Sequence, residues 1–185
     1  MSEYRIASRY AKSLLSLAEE QGALEAVHDD MKLFSQMIEE NRDFELLLNS
    51  PVVVSTKKLV ILNQVFEGKV NDLTLKFFVL LTRKKREGYL PAVATEFHHQ
   101  YNVSKGIAEA TVTTTFALND ELRKEFNSVV AKISGKNVEL TEKIDETLIG
   151  GFVLKIGDRQ IDDSISARLS AIRLKFSQNP YVKEF

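Results

Sequence analysis

The apolar periodicity of this chain changes once, near Gly106, and that change limits what can fold on either side of it. Before it, apolar residues recur at steps of three and four, as on amphipathic helices. After it, a segment alternates residue by residue, as a strand with one buried face does. Leu24, Val27, Met31, Phe34 and Ile38 form the clearest helical stripe. Ala108, Ala110, Val112, Thr114 and Phe116 alternate with Glu109, Thr111, Thr113 and Thr115, and the β-branched threonines favour a strand. The reading is an α+β protein. An N-terminal bundle of six helices over residues 1–104 is followed, over residues 105–185, by a small α+β domain with a short sheet and two helices.

The local signals fill in this outline. Ser2 suits the cap of a first helix carrying Ile6, Tyr10, Leu14 and Leu17, which Gly22 ends. A short piece around Phe44–Leu48 stops at Asn49-Ser50-Pro51. Leu59, Leu62, Val65 and Phe66 mark the inner face of a fourth helix, stopped by Gly68. Asn71 or Asp72 caps a fifth, whose last turn is expected to hold Arg83, Lys84, Lys85 and Arg86. Pro91 fits the first turn of a sixth carrying Val93, Ala94, Phe97 and Tyr101. The domain boundary is placed near Tyr101–Gly106. Beyond it, Asn119 caps a helix with Leu122, Phe126, Val129 and Ile133 inward. Val138–Thr141 and Leu148–Ile156 read as strands, and Gly157-Asp158 as a tight turn into Arg159–Asp162. The last helix is expected to turn Ile165, Leu169, Ile172 and Phe176 inward.

Composition narrows the function classes. The chain has no cysteine, so it carries no disulfide framework, thiolate nucleophile or cysteine metal site. A net charge of −1 argues against a protein built mainly to neutralise nucleic-acid phosphates. Apolar runs such as Phe77–Leu81 fall far short of a membrane span, and the opening MSEYRIASRY has no apolar signal region. His98 and His99 are adjacent, point about 100° apart on a helix and read as solvated surface rather than a chelating pair. Gly135-Lys136 lacks the earlier glycine of a phosphate loop, where Val130 stands. Gly150, Gly151 and Gly157 read as a bulge or a close backbone approach in a sheet. Arg83–Arg86 are explained by the dipole at a helix end, and Asp162 or Asp163 by a helix N-cap.

Two features of the first helix are open to a neighbour from outside the chain, the second of them equally to a helix simply buried on two sides. Arg5, Arg9 and Lys12 crowd the front of the first helix, where its dipole prefers acids. The same helix has a small-residue stripe, Ala7, Ala11 and Ala18, beside the larger Ile6–Tyr10–Leu14 one, so it offers surface to two neighbours.

Arg9-Tyr10-Ala11 within ASRYAKSLLSLA resembles the opening helix of the delta subunit family of bacterial F-type ATP synthases, counterparts of the mitochondrial oligomycin-sensitivity-conferring protein. The segment DETLIGGFVLKIGDRQIDDSISARLSAI, from Asp145 to Ile172, resembles that family's C-terminal signature. Asp162-Asp163-Ser164 stands at the Asp-x-Ser helix start. The resemblance implies a non-catalytic stator connector, without cofactor, that ties the catalytic head to the peripheral stalk so that the head resists rotor torque during proton-driven ATP synthesis. It implies a peripheral place on the cytoplasmic side of the bacterial inner membrane, with membrane contact through the complex and no nucleic-acid partner. The helical domain would receive the N-terminal helix of an alpha subunit between its first and fifth helices. By position, that groove would take Ala7, Tyr10, Ala11 and Leu14 from one side and Leu73, Phe77, Phe78 and Leu81 from the other. Phe77 and Phe78 diverge by about 100°, so one can enter the core while the other lines the groove. The C-terminal domain would engage the b subunits of the stalk. The alternative is a nucleic-acid or regulatory adaptor using the basic run 83–86.

Overall fold

The structure, a computed structural model, describes residues 3–177. Backbone packing divides the chain after Ser104 into two compact units. The first holds α1 (Glu3–Glu20), α2 (Leu24–Glu40), α3 (Arg42–Asn49), α4 (Ser55–Phe66), α5 (Asp72–Arg83), a 3-10 turn (Glu87–Tyr89) and α6 (Leu90–Lys105). The second holds β1 (Ile107–Thr114), α7 (Asp120–Ser134), β2 (Asn137–Ile144), β3 (Phe152–Ile156), β4 (Arg159–Asp162) and α8 (Ile165–Ser177).

The helical unit closes around aromatic rings. Phe34 of α2 meets Phe66 of α4 at 5.6 Å and Phe78 of α5 at 5.0 Å between ring centres, and Phe44 of α3 joins at 6.2 Å. These tilted and edge-on geometries suit the ring quadrupoles. Phe97, Val93 and Leu90 of α6 complete the core, each 1% exposed or less. On α1 the stripe that turns inward is the small one: Ala7, Ala11 and Ala18, together with Leu14. Alanines let α1 approach its neighbours closely, which leaves Tyr10 half-buried and Leu17 exposed on the flank. The Ser2 cap expected for α1 lies outside the described residues.

Both ends of α5 are fixed locally. The Asn71 side chain accepts the Leu73 N–H at 2.9 Å, and Asp30 accepts from the Asn71 N–H and the Thr74 hydroxyl at 2.8 and 2.6 Å. At the other end Lys85 takes a left-handed φ of 55°. Its N–H bonds the Thr82 carbonyl at 3.0 Å and that of Arg86 bonds Leu81 at 2.9 Å, the Schellman closure. The basic run therefore does not continue the last turn of the helix as expected: Arg83 ends α5, and Lys84–Arg86 form the cap beyond it.

In the second unit the sheet order is β2-β1-β3-β4. β1 and β2 are parallel and joined by α7, whose cap is the Asn119 side chain accepting from Leu122 N–H at 2.8 Å. β3 runs antiparallel to β1 and turns through Gly157-Asp158 into β4, with Gly157 at the positive φ of 55° such a turn needs. Val112, Leu154 and Ile161 lie side by side across β1, β3 and β4. α7 packs Leu122, Phe126 and Val130 over that face, with Phe126 edge-on to Phe152 at 5.0 Å. Val130 is the buried residue of the helix, while Val129 and Ile133, expected inward, are 38% and 41% exposed. The inward stripe is Leu122, Phe126 and Val130, at i, i+4 and i+8. β2 is longer than Val138–Thr141, and the strand expected from Leu148 begins at Phe152, after a loop through Gly150-Gly151.

That loop explains two of the glycines. A Cβ on Gly151 would lie 2.4 Å from the Asp163 carbonyl oxygen, and its φ is +82°. The close approach foreseen for these glycines exists, but against the start of α8 rather than inside the sheet. There Ser164, not Asp162 or Asp163, is the cap, its hydroxyl accepting from the Ala167 N–H at 3.1 Å. Asp162 accepts from the Ser164 N–H, which holds its carboxyl below the usual range, and Asp163 pairs with Arg168 through bonds of 2.6 and 2.8 Å. The largest departure is α8 itself. Ile165, Leu169, Ile172 and Phe176 do not turn inward: they are 42%, 53%, 49% and 86% exposed, and no residue of α8 is buried.

Candidate partner-binding surfaces

The first surface lies in the helical unit, between α1 and α5. Tyr10, Leu14 and Leu17 from α1 face Leu73, Phe77 and Leu80 from α5 across a groove of about 390 Å³. The walls are apolar because helical spacing puts Tyr10, Leu14 and Leu17 on one side of α1, and Leu73, Phe77 and Leu80 on one side of α5. The Tyr10 and Phe77 rings meet edge to face at 6.4 Å. Arg86 donates to the Tyr10 hydroxyl at 2.7 Å and lies over the ring, 5.7 Å from its centre. That contact fixes one end of the groove and gives Arg86 a partner within the chain.

The structure brings together half of the residues expected here. Tyr10, Leu14, Leu73 and Phe77 line the groove. Ala7, Ala11, Phe78 and Leu81 lie in the core at 1% exposure or less, where an incoming helix does not reach them without displacing the unit's own packing. Of the two adjacent phenylalanines, Phe78 enters the core beside Phe34 and Phe66, and Phe77 is the groove residue. Leu17 and Leu80, 39% and 46% exposed, belong to the walls and were not foreseen, although each extends the same stripe by one turn.

Next to Arg86 in sequence stands a polar clasp that periodicity does not reveal. Lys58 of α4 and Glu87 of the 3-10 turn pair at 3.0 Å with side chains 4% and 8% exposed. Lys58 also donates to the Leu48 carbonyl at 2.7 Å, and Ser55 donates to Glu87 at 3.1 Å. Burial pushes the Glu87 carboxyl up, but its backbone hydrogen bond, Lys58 and Ser55 together hold it below the ordinary value. The clasp ties the segment after α5 to α3 and α4, and so holds the turn that presents Arg86. A second cluster overturns the solvated reading of His98. Its ring stacks on His28 at 5.3 Å and shares a 3.0 Å hydrogen bond with it, while His28 stacks on Tyr101 at 3.9 Å. The Tyr101 hydroxyl donates to Glu25 at 2.5 Å, which with burial pushes its pKa up to about 12.

The second surface is the outer side of α8, where Ile165, Leu169, Ile172 and Phe176 form an uncovered apolar row with Arg173 and Lys175 exposed on the same helix. Arg168 is engaged by Asp163. Among the described residues no group of three or more histidines or carboxylates could hold a metal ion, and no helix is long and apolar enough to cross a membrane.

An apolar groove on one unit and a bare apolar helix on the other define a docking subunit, a protein that works by holding other chains. Residues 6–176 match the family model described as ATP synthase delta (OSCP) subunit, and the chain belongs to that family. It is thus a structural rather than a catalytic subunit. It is similar to the ATP synthase subunit delta of Cytophaga hutchinsonii, 42% identical over 96% of this chain and 97% of that one. It is also similar to that of Desulforamulus reducens, 38% identical over 91% and 93%. The fold is shared with a chain of the Toxoplasma gondii mitochondrial ATP synthase hexamer at a TM-score of 0.75, with 23% identity over 94% of this chain and 98% of that one.

Proposed function

We propose that this chain is the stator connector between the catalytic head of an F-type ATP synthase and its peripheral stalk, on the cytoplasmic side of a bacterial membrane. Residues 1–104, read as a six-helix bundle domain, take the N-terminal helix of an alpha subunit in the α1/α5 groove. Residues 105–185 engage the b subunits. The observation that carries this reading is the groove: an amphipathic helix laid along Tyr10, Leu17, Phe77 and Leu80 covers apolar walls that the chain leaves open. The work is mechanical, since the two attachments together must hold against torque and no bond is made or broken.

Calorimetry of the full chain with a synthetic peptide of the alpha-subunit N-terminus tests it. Binding to the wild type and its loss in Phe77→Asp, with an unchanged melting temperature, is the expected result. Equal affinity for both would remove the groove from the interface.

A further inference from the structure

The two ends of the α1/α5 groove differ in charge. Tyr10 meets Phe77 and Arg86, while Leu17 and Gln21, further along α1, share the groove with Leu73, nearer the start of α5. The two helices therefore run antiparallel along the groove. Around the Tyr10 end stand Arg9 on α1 and Arg83, Lys84 and Arg86 at the close of α5, with the acid Glu3 on the first turn of α1. Around the Gln21 end stand Glu20 on the last turn of α1 and Asp72 on the first turn of α5, while Glu19 turns to α6, where it accepts from the Ser104 hydroxyl at 3.1 Å. Lys76 lines the wall between Leu73 and Phe77. All of these charged side chains are exposed. The backbone dipoles of antiparallel helices oppose each other at both ends, so the side chains decide the field along the groove.

We infer that the groove accepts its helix in one direction: an amphipathic helix with carboxylates in its first turn and cations in its last lies with its N-terminus at the Arg86 end and its C-terminus at the Asp72 end. Such an occupant has the charge order its own dipole favours, and it runs parallel to α1 and antiparallel to α5. The apolar walls supply the adhesion, and the charged ends supply the orientation. This inference rests on the groove being a helix-binding site, and it adds the direction and charge of what binds.

The test uses the full chain and synthetic amphipathic peptides of about 18 residues, five turns, with one apolar stripe. The first has Glu in its first turn and Lys in its last, the second has these ends exchanged, and the third has Gln at both ends. A nitroxide at the peptide N-terminus broadens nearby amide resonances of the labelled protein. With the first peptide, broadening is expected at Ser8–Lys12 and Lys84–Glu87, and with the second at Glu19–Gly22. At about 20 mM salt the first peptide should bind about fivefold more tightly than the neutral one, a margin that salt screening removes. Arg83→Glu combined with Lys84→Glu should bring the margin between the first peptide and the neutral one below about twofold. Broadening at both ends with the first peptide, or equal affinity for charged and neutral peptides, would overturn the direction while the groove survives. If no peptide perturbs Tyr10, Leu17 or Phe77, the groove reading falls and the direction falls with it.

Discussion

Phe77 and Phe78 are neighbours in sequence with opposite placements, one lining the open groove and one sealed among Phe34 and Phe66. Phe78→Ala should cost about 3–5 kcal/mol in chemical denaturation, since it empties a filled aromatic core. Phe77→Ala should cost far less and instead weaken peptide binding, so melting and calorimetry on the pair separate fold from function. The sequence showed that the two must diverge; which one turns inward depends on rings contributed by α2 and α4, a tertiary fact. Lys58 and Glu87 were harder still to foresee, because a charged residue inside a core leaves no periodic trace. Lys58→Met should cost about 3–5 kcal/mol at neutral pH, because it leaves a buried carboxylate without its cation. In the native protein the Glu87 carboxyl lies below its ordinary value of 4.5, so its contribution is present above that pH and is lost as pH falls through the lower, folded value. In the variant, burial acts unopposed by the ammonium and the carboxyl rises. The deficit should therefore shrink between pH 7 and pH 5, and a deficit that stays constant across that range would contradict the clasp as described.

Among the elements, α1 and α8 show how far periodicity carries. On α1 the apolar stripes were both visible, and the alanines took the core because small side chains allow close helix approach, which freed Tyr10 and Leu17 for the groove. Ala11, expected on the groove, is a core position at 0% exposure, so Ala11→Trp should lower the melting temperature before it tests any interface. On α8 the helical stripe was real, but among the described residues nothing buries it. A stripe reports an apolar neighbour without saying whose it is. Leu169→Glu should thus leave the melting temperature almost unchanged, as exposed substitutions do, and should reduce b-subunit recovery in a pull-down of the assembled complex. Unchanged recovery would move the stalk contact off this helix. Gly151→Ala, by contrast, should unsettle the second unit before any partner is present. Its left-handed backbone costs a side chain about 1–2 kcal/mol and the Asp163 carbonyl stands in the way, so melting of the free chain should report it.

For the whole molecule, the change of period near Gly106 and the division of packing after Ser104 fall close together. A fragment of residues 1–104 should melt cooperatively, bind the groove peptide as the full chain does and fail to recover the b subunits. A molten fragment would mean that the helical core depends on the second unit. What the bare row on α8 costs is paid before assembly. A helix with Leu169, Ile172 and Phe176 in water looks for cover, and a second copy or a misfolding neighbour will serve when the stalk is late. If the stalk caps this row as proposed, chains made in excess of it are the ones left open to self-association and proteases, and production would have to keep step with that of the partner.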